Sequence, residues 1–267
     1  KYVQVEGGHI DAGRLYIEEE PEVGVFVDTT SDIDLNEIQN KVVVLKGFYL
    51  GTQGSNIRLI ATEVEVLGNY QTVYFREDWE WLDEWSVASG VGATVETDNP
   101  DATATALTSI KTTVDGKEIT CFDYIESKGY KFVYDKGDNK RTYLQRNYLK
   151  FGKTGNHSGI TLPAITNIPA DAHVVMSFDW CPMRQGSGKI DPVTLFVEIK
   201  NGEDVRKFDI PTHGWENDHV LEWIKATVDL KGVKIDKDTK ITISQNEFDA
   251  STANRWFLDN IKIVEVE

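Results

Sequence analysis

The last stretch of the chain, Trp256-Phe257-Leu258-Asp259-Asn260-Ile261-Lys262-Ile263-Val264-Glu265-Val266, alternates apolar and polar residues around one Asp–Asn pair. A period of two buries one face of a strand and wets the other, so this segment needs a sheet to close. The acidic segment Phe75-Arg76-Glu77-Asp78-Trp79-Glu80-Trp81 is its expected partner, because first and last strands of an antiparallel sandwich lie together. That pairing predicts one domain over residues 73–267, behind a smaller domain over residues 1–70.

The smaller domain reads as five strands. Tyr2-Val3-Gln4-Val5-Glu6 alternates and is expected to break at Gly7-Gly8. Residues 14–18 and 23–27 follow, then a short helical turn at 34–40, then strands at 42–50 and 57–67. Gly47 inside the fourth predicts a bulge or bend. Five strands with one short helix before the fourth is the layout of a small OB-like barrel. Gly68-Asn69-Tyr70-Gln71 is the expected hinge.

Beyond the hinge the pattern is all-β. Strands are expected at 131–134, 148–151, 159–162, 173–180, 193–200, 205–210, 221–229, 240–245 and 256–266. Turns at Asp115-Gly116, Lys136-Gly137-Asp138-Asn139, Asn201-Gly202 and Lys231-Gly232 separate several of them. Residues 83–87 and 102–109 fit no period, and no long helix is expected.

The formal net charge is −16. Residues 1–70 hold 5 Lys/Arg against 12 Asp/Glu, and the remainder 23 against 32. Both parts are acidic, which disfavours nucleic acid and anionic lipid as partners. No apolar run reaches the length of a membrane-spanning helix. Cys121 and Cys181 are too few for a disulfide scaffold; they either pair across the sandwich in an oxidising compartment or stay as buried thiols. The chain begins at Lys1 rather than Met, so it is expected to be either a processed or a trimmed chain, with a signal peptide, a lipid-anchor cysteine or a leading domain as the alternatives for what preceded it.

Three segments and the final strand carry a resemblance. They are Tyr148-Leu149-Lys150-Phe151-Gly152, Gly159-Ile160-Thr161-Leu162-Pro163, and Val174-Val175-Met176-Ser177-Phe178-Asp179-Trp180. Together they resemble a carbohydrate-binding-module jelly roll, and are similar to the galactose-binding-like and choice-of-anchor sandwiches of Bacteroidetes-type surface lipoproteins. Residues 42–50 and 57–66 resemble the OB-fold modules that precede other domains in secreted bacterial proteins. The resemblance implies non-catalytic carbohydrate binding in a surface glycan-capture system, a secreted or outer-membrane location with a lipid anchor, a polysaccharide or oligosaccharide ligand, and outer-membrane protein partners. It also implies a structural calcium ion where the domain opens and closes, held by Glu77, Asp78 and Asp259 with main-chain carbonyls.

A sugar site needs a flat aromatic surface and a few polar groups that bond hydroxyls. Thr212-His213-Gly214-Trp215-Glu216-Asn217-Asp218-His219 places a Trp among short polar residues in a loop. The loop after Trp180, with Arg184, is expected to face it. Trp215, His213, Asn217 and Arg184 are therefore the candidate carbohydrate contacts, while Trp180 shares parity with Met176 and Phe178 and belongs to the core. His213 and His219 lack the spacing of zinc ligands on a helix or strand. No nucleophile elbow, phosphate loop or dinucleotide fingerprint is present. A structural or adhesive protein that binds another protein is the second reading, and a glycoside hydrolase or lyase the third.

Overall fold

The computed structural model describes all residues except 1, 12–13, 18–19, 30–32, 54–55, 89–104, 135–141, 146, 154, 246–253 and 267. The expected turn at Lys136-Gly137-Asp138-Asn139 and the start of the 102–109 segment lie outside the described residues. The chain forms two compact units, Lys1–Thr72 and Val73–Glu267.

The first unit is a closed barrel of β1 (Tyr2–Asp11), β2 (Arg14–Ile17), β3 (Glu20–Thr29), β4 (Lys41–Gln53) and β5 (Asn56–Asn69). Its order is β1-β2-β3-β5-β4, and β4 closes on β1. Among the described residues only the β3–β5 pair is parallel. Inward positions converge on a core that includes Ile10, Leu15, Val43, Leu45, Leu59 and Ala61. β1 does not break at Gly7-Gly8: it runs on through a register shift between Val5 and Gly8, where Gly8 is pressed against the Leu15 side chain. Gly47 marks a shift in β4. A side chain there would collide with the Ile60 carbonyl, so the strand keeps a glycine at that close approach. Gly68 and Asn69 of the expected hinge belong to β5, with Asn69 paired to Lys41.

The second unit is a β-sandwich of jelly-roll type. Its elements are β6 (Val73–Glu77), α1 (Asp83–Ala88), β7 (Thr105–Ala106), β8 (Lys111–Val114), β9 (Lys117–Thr120), α2 (Cys121–Ser127), β10 (Lys131–Tyr134), β11 (Thr142–Gln145), β12 (Tyr148–Phe151), β13 (Ser158–Thr161), β14 (Val174–Pro182), β15 (Leu195–Asn201), β16 (Asp204–Asp209), β17 (Ile224–Asp229), β18 (Lys240–Gln245) and β19 (Trp256–Glu265). One sheet runs β17-β14-β19-β12-β11-β7, with β6 also paired to β19; the other runs β10-β13-β18-β15-β16. First and last strands meet antiparallel, with Glu77 opposite Ile261 and Phe75 opposite Ile263.

Between the sheets lie Met176, Phe178, Trp180, Leu149, Phe151, Trp256, Leu258, Ile261 and Ile263 from one side, and Ile160, Leu195, Val197, Ile199, Ile241 and Ile243 from the other. Phe151 and Trp256 stack at 4.6 Å. The register of β14 against β19 shifts between Ser177 and Asp179. Asn260 and Ile261 stand opposite Phe178 in that bulge, and Asn260 adopts a left-handed φ of 49°. The extra residue lets Leu258 and Ile261, three apart, both point inward.

Helix α2 stands where no helix was expected. Thr120 caps it, its hydroxyl accepting from the Asp123 amide at 3.1 Å. Cys121 and Cys181 are free buried thiols belonging to different apolar clusters. They do not pair, and burial pushes both thiols up to about 12. Among the described residues no helix is long and apolar enough to cross a membrane.

Candidate functional site

Strand alternation in the five-stranded sheet has two products. Leu195, Val197, Ile199, Ile241 and Ile243 go inward. The intervening positions line a groove of about 620 Å³ formed by Val133, Phe196, Glu198, Lys207, Thr242 and Ser244, with His157 and Gln245. Cross-strand register orders them: Glu198 lies opposite both Thr242 and Lys207, and Phe196 lies opposite Ser244. Lys207 Nζ stands 4.0 Å from the Phe196 ring centroid. Thr242 and Thr161 share a hydroxyl–hydroxyl bond of 2.8 Å. Gly159, opposite Ser244, keeps the surface low, because a side chain there would collide with the Ile243 carbonyl and with Ser244.

The chemistry of this lining is mixed. Glu198 is acceptor-only when ionised, Lys207 is donor-only, and the Thr and Ser hydroxyls do both. Such a set complements a polyhydroxylated ligand laid along the sheet. Glu198 is the one carboxylate among the groove's described lining residues.

The four loop residues expected to contact sugar are brought together, but by bonds that tie the two loops to each other. Arg184 Nη1 donates to the carbonyls of His219 at 3.3 Å and Asp218 at 3.5 Å. Asn217 Oδ1 accepts from the Ile190 amide at 3.3 Å. His213 Nδ1 accepts from the Trp215 amide at 3.0 Å. Trp215 is half-buried. It stacks on His219 at 4.3 Å and 21° and packs on a second apolar cluster that includes Tyr148, Cys181, Met183, Leu221 and Phe257. Asp218 leaves no room for a side chain at Gly188, and the two residues also share a main-chain bond of 2.7 Å. Buried Asp191 fastens the second loop by pairing with Arg255, Nε to Oδ2 at 2.7 Å. Trp180 is in the core.

Glu77 closes β6 with Asp78 next to it, and β6 pairs with β19, the strand that carries Asp259. Glu77 Oε1 accepts from the Trp79 amide at 2.7 Å and Trp81 Nε1 at 2.9 Å, and Oε2 from the Tyr130 hydroxyl. Burial, then the Glu77 charge, raises the Tyr130 phenol, which keeps it a donor. Asp78 Oδ1 accepts from the Glu80 amide at 3.3 Å and Oδ2 faces Arg76 Nε at 3.4 Å. Among the described residues no three His, Cys, Asp or Glu side chains converge to hold a metal ion. The expected set of Glu77, Asp78 and Asp259 therefore does not fit calcium as it stands, because Glu77 spends both oxygens on protein donors.

Asp179, which the sequence reading left out, sits directly opposite Asp259. Asn260 bridges the pair: its amide donates to Asp259 Oδ1 at 2.8 Å and its side-chain amide to Asp179 Oδ2 at 3.0 Å. Burial first, and then the charges of Asp179, Asp78 and Glu77, push the Asp259 carboxyl up to about 8.

No family model matches the chain, and no curated protein does. Solved structures give distant likenesses. The CBM22-2 xylan-binding domain from Paenibacillus barcinonensis Xyn10C is 12% identical, with 72% of this chain and 99% of that chain covered, at a TM-score of 0.33. The K3 cleaved adhesin domain of Lys-gingipain from Porphyromonas gingivalis is 9% identical, with 51% and 91% covered, at 0.34. The CBM22-1–GH10 modules of Clostridium thermocellum xylanase 10B, complexed with xylohexaose, are 13% identical at 0.33; 52% of this chain is covered and it spans 26% of theirs. At such scores neither the fold nor the function of this chain follows from these likenesses.

Proposed function

We infer that this chain is a non-catalytic carbohydrate-binding protein whose ligand lies in the groove on the outer face of the five-stranded sheet. The observation that carries the reading is that groove, with its acceptor-only, donor-only and hydroxyl side chains in register on one face of the sheet. A binding site is a concave surface with a few placed polar groups, and the groove meets that description where the 213–219 loop does not. Glycosidic hydrolysis by the usual route takes two facing carboxylates; the groove's described lining supplies one. The test is a glycan array followed by calorimetry on hits. Binding that is lost in Glu198→Ala and kept in Trp215→Ala supports the assignment, and binding to no glycan defeats it.

A cell-surface glycan-capture setting, a lipid anchor, outer-membrane partners and an OB-like identity for the barrel belong to the same proposal and rest on the sequence resemblance. One observation favours a second reading, protein contact through the barrel. Phe48, Leu50, Val66 and Leu67 on β4 and β5 are about half exposed, apolar side chains that a protein partner would cover. Charged substitutions at Leu50 and Leu67 that leave the barrel folded and abolish capture of a defined surface partner would support that reading.

A further inference from the structure

One titratable acceptor closes a turn inside the loop at 213–219. His213 Nδ1 accepts the Trp215 amide at 3.0 Å, a bond that only the neutral ring in the tautomer with its proton on Nε2 can make. The same residue contacts the rings of Trp180 at 6.2 Å and Trp215 at 5.7 Å. Trp215 in turn carries His219 on its face and covers the apolar cluster containing Cys181, Met183 and Phe257. We propose that His213 is an acid-released clasp: when Nδ1 gains a proton it becomes a donor facing a donor, the Trp215 amide loses its acceptor, and the turn over residues 213–215 opens while Arg184, Asn217 and Asp218 still tie the two loops together.

The groups around the imidazole do not supply a ready counter-charge. The Asp191 carboxylate is already paired with Arg255 and accepts from Gln185, so that only the Asp191 main chain is left to bond the ring. Arg184, from the same loop, is a cation spent on the carbonyls of Asp218 and His219. His219 is a second imidazole in the cluster, its Nε2 buried without a partner. On the loop itself Glu216 and Asp218 are exposed. Burial, then His219, favours the neutral form of His213, so release falls on the acid side of the ordinary histidine range.

The test is hydrogen exchange of the Trp215 amide in the intact chain between about pH 7 and pH 5, corrected for intrinsic exchange, with amides of β14 as internal reference. Wild-type protection is expected to fall at least about tenfold on acidification while β14 holds. In His213→Gln the amide oxygen accepts without titrating, so protection should persist across the range. In His213→Phe it should be low throughout. The inference is overturned if wild-type protection does not change with pH, if His213→Gln loses protection in step with wild type, if His213→Phe is as protected as wild type, or if β14 opens together with the loop.

Discussion

Glu198 and Lys207 stand directly opposite one another across β15 and β16, on the edge-strand side of the groove, with the Lys207 ammonium over the ring of Phe196. The pair offers a hydroxyl-bearing ligand an acceptor and a donor side by side. Glu198→Gln and Lys207→Met keep the length of each side chain and remove its charge. Each should weaken glycan binding by about tenfold or more, the loss of one charge-assisted hydrogen bond. Both side chains face outward, so the melting temperature should move little. Calorimetry and thermal melts on the same samples separate the two effects.

Trp215 makes the converse prediction. It is part of a packed cluster and of a loop whose polar atoms bond one another. Trp215→Ala should cost about 1–3 kcal/mol of stability and leave affinity for the same glycan within error. Urea unfolding and calorimetry decide this; lost affinity with unchanged stability would return the sugar to the loop.

Glu77 anchors the opening of the sandwich to its close. It lies opposite Ile261 and gathers Trp79, Trp81 and Tyr130. Removing it strands three donors in a buried place, so Glu77→Ala should cost about 3 kcal/mol in urea unfolding. A loss below the scatter of surface substitutions would deny it that role.

The Asp179–Asp259 pair makes stability depend on pH. Burial first, and then the Asp179 charge directly opposite it, disfavours the Asp259 carboxylate, so the folded protein holds a proton there that the unfolded chain releases. Its folded value, about 8, lies above the unfolded one. The stabilisation is therefore complete below about pH 4 and is lost as pH rises through about 8. Asp259→Asn mimics the protonated form, so its melting temperature should be flatter than that of wild type across this window. Millimolar calcium added to metal-free protein should leave the wild-type melting temperature unmoved. A calcium-dependent rise at the alkaline end, absent from Asp259→Asn, would instead put the ion between Asp179 and Asp259.

Much of the sandwich was legible because alternation is local. The strands around Met176–Phe178–Trp180, Ile241–Ile243 and Trp256–Leu258 lie where the period of two puts them, inward parity included. The groove was not legible, although its residues sit on strands the pattern found. It exists only because β18 pairs with β15 and β13, segments far apart in the chain, and no local pattern says which strands become neighbours. The Asp259-Asn260 interruption stood out in the sequence as a ligand candidate. Asn260 opens the bulge, while Asp259 pairs beside it with Asp179, a partner set by strand register that no local pattern shows. Trp215 read as a surface ring because the loop around it is polar; the stack with His219 and the cluster beneath come from contacts outside that local pattern. Helix α2 had a visible signal in Thr120 and Asp123 that was passed over.

The most direct test of the central claim is a backbone-amide NMR titration with a glycan selected by array. The account predicts shifts clustered at Phe196–Glu198, Lys207 and Thr242–Ser244, on the outer face of the five-stranded sheet, with residues 213–219 silent. Shifts centred on Trp215 and Arg184 with a silent five-stranded sheet would contradict it.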